Sequence, residues 1–144
     1  MLSVHQLLAG KSRNEIYAVR PDQTVIEALE LMAAQNIGVV MVLDDERLVG
    51  IFSERDYARK GIVQGRKAKS TPIAEVMTSG LYVVTPKQSI QDCMKIMSEK
   101  HIRHLPVVED EKVLGILSIT DIVSAIMREQ ENRIQSLEQY ITGY

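Results

Sequence analysis

A single cysteine, Cys93, stands in the 144-residue sequence, so no disulfide can close within the chain and nothing calls for an oxidising compartment. The longest apolar stretches, such as Ile37 to Leu43, are far short of the ~20 residues that a membrane-spanning helix needs. Met1 to Gly10 has neither a basic start nor a long apolar middle, so no secretory leader is expected there. A formal net charge of -2 supplies no general attraction to nucleic acid or to an anionic membrane, and neither is expected as a partner. A cytoplasmic protein is the expectation. His101 and His104 have His-x-x-His spacing but no third ligand nearby, and no Cys or His pair matches a structural zinc site. There is no Gly-x-Gly-x-x-Gly fingerprint. Ala9-Gly-Lys-Ser12 imitates the end of a phosphate-binding P-loop, but His5 occupies the place of its first glycine and no strand precedes it. No Ser, His, Asp or paired-carboxylate arrangement falls convincingly into one pocket, so the chain is not expected to be an enzyme.

What the sequence does contain is a duplication. Sliding it by 65 positions aligns Ile16 to Lys60 with Leu81 to Ala125 without a gap. Identities fall at Tyr17 and Tyr82, Val19 and Val84, Pro21 and Pro86, Gln23 and Gln88, Met32 and Met97, and Ile37 and Ile102. They continue at Gly50 and Gly115, Ser53 and Ser118, and Asp56 and Asp121. A short opener also recurs, with Val4, Leu7 and Leu8 matching Ile73, Val76 and Met77. A unit of ~60 residues buries too small a share of its surface to be secure alone, so the copies are expected to share a core.

Within a copy, Tyr17 to Val19 reads as a short strand ended by Pro21. Thr24 with Glu27, and Ser89 with Asp92, are capping boxes that open amphipathic helices. In the first helix Val25, Ala28, Leu29 and Met32 form the core face. Val39 to Leu43 and Leu48 to Phe52 are apolar, β-branched-rich runs around a polar turn at Asp44 to Glu46, which predicts a hairpin. Ser53 then starts a second helix through Tyr57. The fold class is therefore α/β (α+β), two tandem β-α-β-β-α repeats with a C-terminal helical extension. The expected boundaries are 1–69 for the first repeat with its opener and linker, 70–127 for the second, and 128–144 for the extension. Gly61 to Thr71 is the linker. Along a long helix that runs from the second repeat into the extension, Ile122, Val123, Ile126, Met127, Ile134, Leu137, Ile141 and Tyr144 recur at helical steps, the part beyond the repeat either packing back on its own domain or forming a dimer contact.

Gly50-Ile-Phe-Ser-Glu-Arg-Asp56 recurs as Gly115-Ile-Leu-Ser-Ile-Thr-Asp121, each a strand running into a helix start. Unpaired amides there suit a phosphate, and a carboxylate one turn on can accept hydrogen bonds from both hydroxyls of a ribose. Ser-x-x-Asp is equally a capping box that closes its own helix. Its appearance twice, each time after glycine and a buried strand, points toward binding.

This doubled pattern resembles a tandem CBS-domain pair, or Bateman module, over about Val4 to Met127. Ile102-Arg-His-Leu-Pro-Val-Val108 is similar to the family's second strand. Ser53-Glu-Arg-Asp-Tyr57, the linker Gln64-Gly-Arg-Lys-Ala-Lys-Ser-Thr71 and the Gly143-Tyr144 end are similar to stand-alone CBS-pair proteins of bacteria and plant organelles. The first copy departs from the pattern, since Gly38-Val-Val-Met-Val42 lacks the proline seen at Pro106.

The resemblance implies two clefts related by pseudo-twofold symmetry, each drawing on both copies. One would use Ser118, Thr120 and Asp121 with Gln23, Ala28, Ile37, Gly38 and Val39. The other would use Ser53, Arg55 and Asp56 with Gln88, Cys93, Ile102, Arg103 and His104. In the first, small Gly38 leaves room for a base. In the second, Arg103 and His104 reach phosphates. Lys67 and Lys69 either add charge for further phosphates or are simply solvated. Cys93, aligned with Ala28, is read as core filler.

The resulting expectation is a regulatory module that binds AMP, ADP, ATP or NAD, has no catalytic cofactor or metal, forms a homodimer and acts on an unidentified partner protein. Two other classes compete. One is a structural dimerisation module in which Asp56 and Asp121 are only caps. The other is a nucleotide-handling enzyme using His104, Arg103 and Cys93.

Overall fold

The computed structural model describes residues 2–11 and 15–142. Ser12 of the P-loop-like segment, and Gly143 and Tyr144 of the tail, lie outside the described residues. The elements run α1 (Val4–Gly10), β1 (Ala18–Val19), α2 (Val25–Gln35), β2 (Val39–Asp44), β3 (Arg47–Ser53) and α3 (Glu54–Asp56). After a 3-10 turn at Ile73–Glu75 come α4 (Ile90–Lys100), β4 (His104–Glu109), β5 (Lys112–Ser118) and α5 (Ile119–Thr142).

Two compact bodies result. One comprises 15–81 with 110–113, and the other 1–14, 82–109 and 114–144. The first-copy body holds the sheet β1-β2-β3, with β1 parallel and β3 antiparallel to β2. Its core joins Val25, Ala28 and Met32 of α2 to Val40, Val42 and Phe52 of the hairpin. The second-copy body packs Ile90, Cys93 and Met97 of α4 against Leu105, Val107 and Leu117. Ile122 and Ala125 of α5 complete that face.

The openers are exchanged between copies. Val4 and Leu7 of α1 belong to the second-copy core, whereas Ile73 and Val76 belong to the first-copy core. The backbone repeats this relation, because Val4 N–H donates to Gln88 O at 2.8 Å and Ile73 N–H donates to Gln23 O at 2.8 Å. His5 N–H to Pro86 O and Ala74 N–H to Pro21 O form the next matching pair. Each opener thus closes the entry of the other copy's helix.

Local signals account for the helices and hairpins. Thr24 and Ser89 cap α2 and α4 through Glu27 N–H and Asp92 N–H. Both helices end on a residue in the left-handed region, Asn36 at φ 54° and His101 at φ 55°. The hairpin turns are tighter than Asp44 to Glu46 suggests, since β2 runs through Asp44 and the two-residue turn is Asp45-Glu46. Its counterpart is Asp110-Glu111, and all four turn residues have positive φ.

Two expectations require correction. The opening strand of the second copy is reduced to one parallel bridge, Val84 to Val107. In the first copy Met41 N–H donates to Tyr17 O at 3.0 Å, whereas Pro106 stands at the equivalent place and has no N–H to give. The helix after Ser53 also does not stop at Tyr57. It widens into a π-helical turn over Tyr57–Ile62, where Val63 N–H donates to Ala58 O. The expected linker from Gly61 therefore begins inside a helix. Its later residues close α2, with Val25 N–H donating to Thr71 O and Ile26 N–H to Ala68 O, both at 2.9 Å.

Candidate functional site: two unlike strand-to-helix junctions

At each predicted junction a β-strand delivers its last residue as the cap of the next helix. In the first-copy body Ser53 N–H donates to Asp56 Oδ2 at 3.0 Å, and Asp56 N–H donates to Ser53 Oγ at 3.1 Å. The other carboxylate oxygen, Oδ1, accepts from Thr78 Oγ1 at 2.8 Å and has Lys60 Nζ at 3.6 Å. Both oxygens of this buried carboxylate are engaged within its own body. Asp56 is thus a cap and a clasp on the exchanged opener segment.

The second-copy junction starts from the same cap and ends differently. Ser118 N–H donates to Asp121 Oδ2 at 2.8 Å, and Asp121 N–H returns to Ser118 Oγ at 3.1 Å. Lys11 Nζ reaches the same Oδ2 at 3.0 Å and Ile116 O at 2.8 Å. Asp121 Oδ1 has no hydrogen bond among the described residues, and the side chain remains 25% exposed. One oxygen is held and one is available. Burial, the largest single influence, pushes the Asp121 carboxyl up, but Ser118 N–H, the Lys11 ammonium and the Ser118 hydroxyl together hold it below its ordinary value. An ionised acceptor is therefore built into this junction.

His104 and Arg103 stand beside it in the same body, where Ile119 N–H donates to Arg103 O at 2.8 Å. Burial lowers the His104 pKa, opposed by Asp121 and assisted by Lys11 and Arg103. The corresponding contact of the first-copy body is Glu54 N–H to Gly38 O at 3.2 Å. Beyond its chain neighbours, a methyl group built on Gly38 would have as its nearest contact among the described residues the Glu54 carboxylate at 4.0 Å. Internal packing does not demand a glycine there.

The other predicted residues divide as follows. Gln23, Ala28, Ile37, Gly38, Val39, Ser53, Arg55 and Asp56 lie in the first-copy body. Gln88, Cys93, Ile102, Arg103, His104, Ser118, Thr120 and Asp121 lie in the second. Arg55, Thr120, Lys67 and Lys69 are exposed, and Ile37 and Ile102 are half-buried. Gln23 and Gln88 serve the strand-to-helix turns, their side-chain oxygens accepting from Arg20 N–H and Thr85 N–H. Ala28 and Cys93 are fully enclosed in their cores. Burial, with Asp92 adding to it, pushes the Cys93 thiol up to about 11, so it stays protonated at neutral pH and is no nucleophile. Among the described residues, no group of three or more His, Cys, Asp or Glu could hold a metal ion. No helix among them is long and apolar enough to cross a membrane.

Sequence reasoning missed Lys11 and Thr78. Lys11 is separated from Asp121 by 110 positions, and only the exchange of openers brings the two together. An open groove lined by Leu2, Leu7, Ala125 and Arg128 contains none of the predicted residues.

The CBS domain family profile matches residues 11–62 and 73–128, and the chain belongs to that family as a pair of CBS domains, a module that is generally regulatory. It is 40% identical over 127 residues to a mitochondrial CBS domain-containing protein of Arabidopsis thaliana, covering 85% of this chain and 62% of that protein's length. A CBS-domain protein of Burkholderia ambifaria superposes with a TM-score of 0.85 at 40% identity, covering 90% of this chain and 96% of that one. Hypoxic Response Protein I, whose structure has two coordinated zinc ions, superposes with a TM-score of 0.73 at 25% identity, covering 87% and 99%.

Proposed function

We propose that the chain is a regulatory module that binds an adenosyl ligand of the AMP, ADP, ATP or NAD class, self-associates as a homodimer and alters a partner protein, without catalysis of its own. The observation that carries this reading is the half-satisfied carboxylate of Asp121. Its Oδ2 is fixed by Ser118 and Lys11, and its Oδ1 remains available to accept from ribose hydroxyls. Thr120, Arg103, His104 and Lys11 supply donors and positive charge close by for phosphate. The first-copy body offers Gly38, exposed between Ile37 and Val39, as its own candidate surface for an adenine base. Asp56, with both oxygens engaged, is the weaker anchor. Lys67 and Lys69 are exposed and available to additional phosphates.

For regulation the ligand must bind one conformation better than another, and the difference in affinity sets the size of the response. Calorimetry with AMP, ADP, ATP and NAD tests the reading. Micromolar to millimolar binding is expected for at least one, and Asp121→Ala should weaken it by roughly 1.5 to 3 kcal/mol, the loss of charge-assisted hydrogen bonds. Silence from all four at millimolar concentration would remove the adenosyl reading. The structural-module alternative, favoured by the closed capping box at Asp56, would then stand.

A further inference from the structure

From Val123 the α5 sequence advances in alternating steps of four and three through Met127, Gln130, Ile134, Leu137 and Ile141. Steps of four and three lay these residues along one stripe of the helix, the pattern along which two helices can pack as a left-handed coil. Among the described residues nothing covers this stripe. Met127, Ile134, Leu137 and Ile141 are 63%, 56%, 60% and 80% exposed, and every described residue from 130 to 142 is exposed. The expectation that the tail packs back on its own domain holds only for its first turns, where Ile122 and Ala125 are buried.

The residues flanking the seam identify what covers it. With Met127, Ile134 and Ile141 at the first core position of each heptad, Gln130 and Leu137 take the second. Isoleucine at the first position with leucine at the second favours two parallel strands. Arg133 and Glu138 then occupy the flanking positions that meet between parallel, in-register helices, giving an attractive pair twice by symmetry. In an antiparallel pairing, Glu131 and Glu138 would instead confront their counterparts as like charges. Arg133 is 71% exposed and makes an i,i+4 contact to Glu129 at 3.4 Å, so it is placed to turn toward a neighbour.

We propose that the occupant is a second copy of this chain, joined through α5 in a parallel, in-register coil. This specifies the self-association proposed above and is independent of any adenosyl ligand. Arg133 and Glu138 are five residues apart, on different sides of one helix, so compensation between them must act between chains.

The test uses the full chain in sedimentation equilibrium and oxidative cross-linking. The wild type should be a dimer. Arg133→Glu should raise the dissociation constant about tenfold, and the double change Arg133→Glu with Glu138→Arg should restore it. Leu137→Cys should form a disulfide-linked dimer under mild oxidation, while Gln135→Cys on the outer face should not. Circular dichroism of each variant confirms that the helix is intact. A dimer insensitive to the charge exchange and without the 137–137 cross-link overturns this inference and leaves self-association through another face. A wild-type monomer at tens of micromolar overturns both.

Discussion

Gly50 and Gly115 occupy the same place in the two copies, yet a side chain at each would meet different neighbours. At Gly50 a methyl group would lie 2.7 Å from Met77 Sδ and 2.9 Å from the backbone oxygen of Thr78, which cannot yield without breaking the bridge to Ile51. At Gly115 its nearest neighbour is Leu8 Cδ2 at 3.0 Å, the end of a flexible side chain. Gly50→Ala should therefore cost about 2 to 3 kcal/mol in urea unfolding and Gly115→Ala under about 1. His104 carries a second prediction. Its folded pKa lies below the ordinary 6.5, so the unfolded chain takes up the proton first as pH falls. Its contribution is fully present above 6.5 and is lost as pH drops toward the folded value. Thermal unfolding should show melting temperature falling below pH 6.5, with a shallower slope in His104→Gln.

At the scale of elements, the hairpins contain a strain that can be relieved. Asp45, Glu46, Asp110 and Glu111 all have φ between 48° and 71°, a region costly for residues with a Cβ, and neither turn contains the glycine that such two-residue turns favour. Glu46→Gly and Glu111→Gly should each stabilise the protein by roughly 0.5 to 1 kcal/mol, read from the shift in urea midpoint at constant slope. Elements were legible in the sequence where their cause is local. Thr24 and Ser89 mark their helices, and paired apolar runs mark the hairpins. The shortened opening strand was written at Pro106, but reading it requires knowing which amide would have faced Tyr82. The π-helical turn had no such mark; within it Gly61 lies against the Tyr57 ring, where an added Cβ would come within 3.0 Å. The junctions were legible as a motif whose two copies looked alike. What separates them is Thr78 on one carboxylate and Lys11 on the other, and both arrive through contacts that no local pattern encodes.

At the scale of the molecule, the exchanged openers decide how a local change spreads. Leu7→Ala should cost about 2 to 4 kcal/mol and speed amide exchange in α4, β4 and β5, far along the chain, while leaving β2 and β3 protected. Ile73→Ala should do the reverse. The same arrangement sets an order for the nascent chain. The first-copy body has most of its parts once residue 81 has been made, but Val4 and Leu7 belong to a core whose last helix ends at Thr142. Val4 and Leu7 therefore leave the ribosome long before Ile122 and Ala125, which complete the core that covers them.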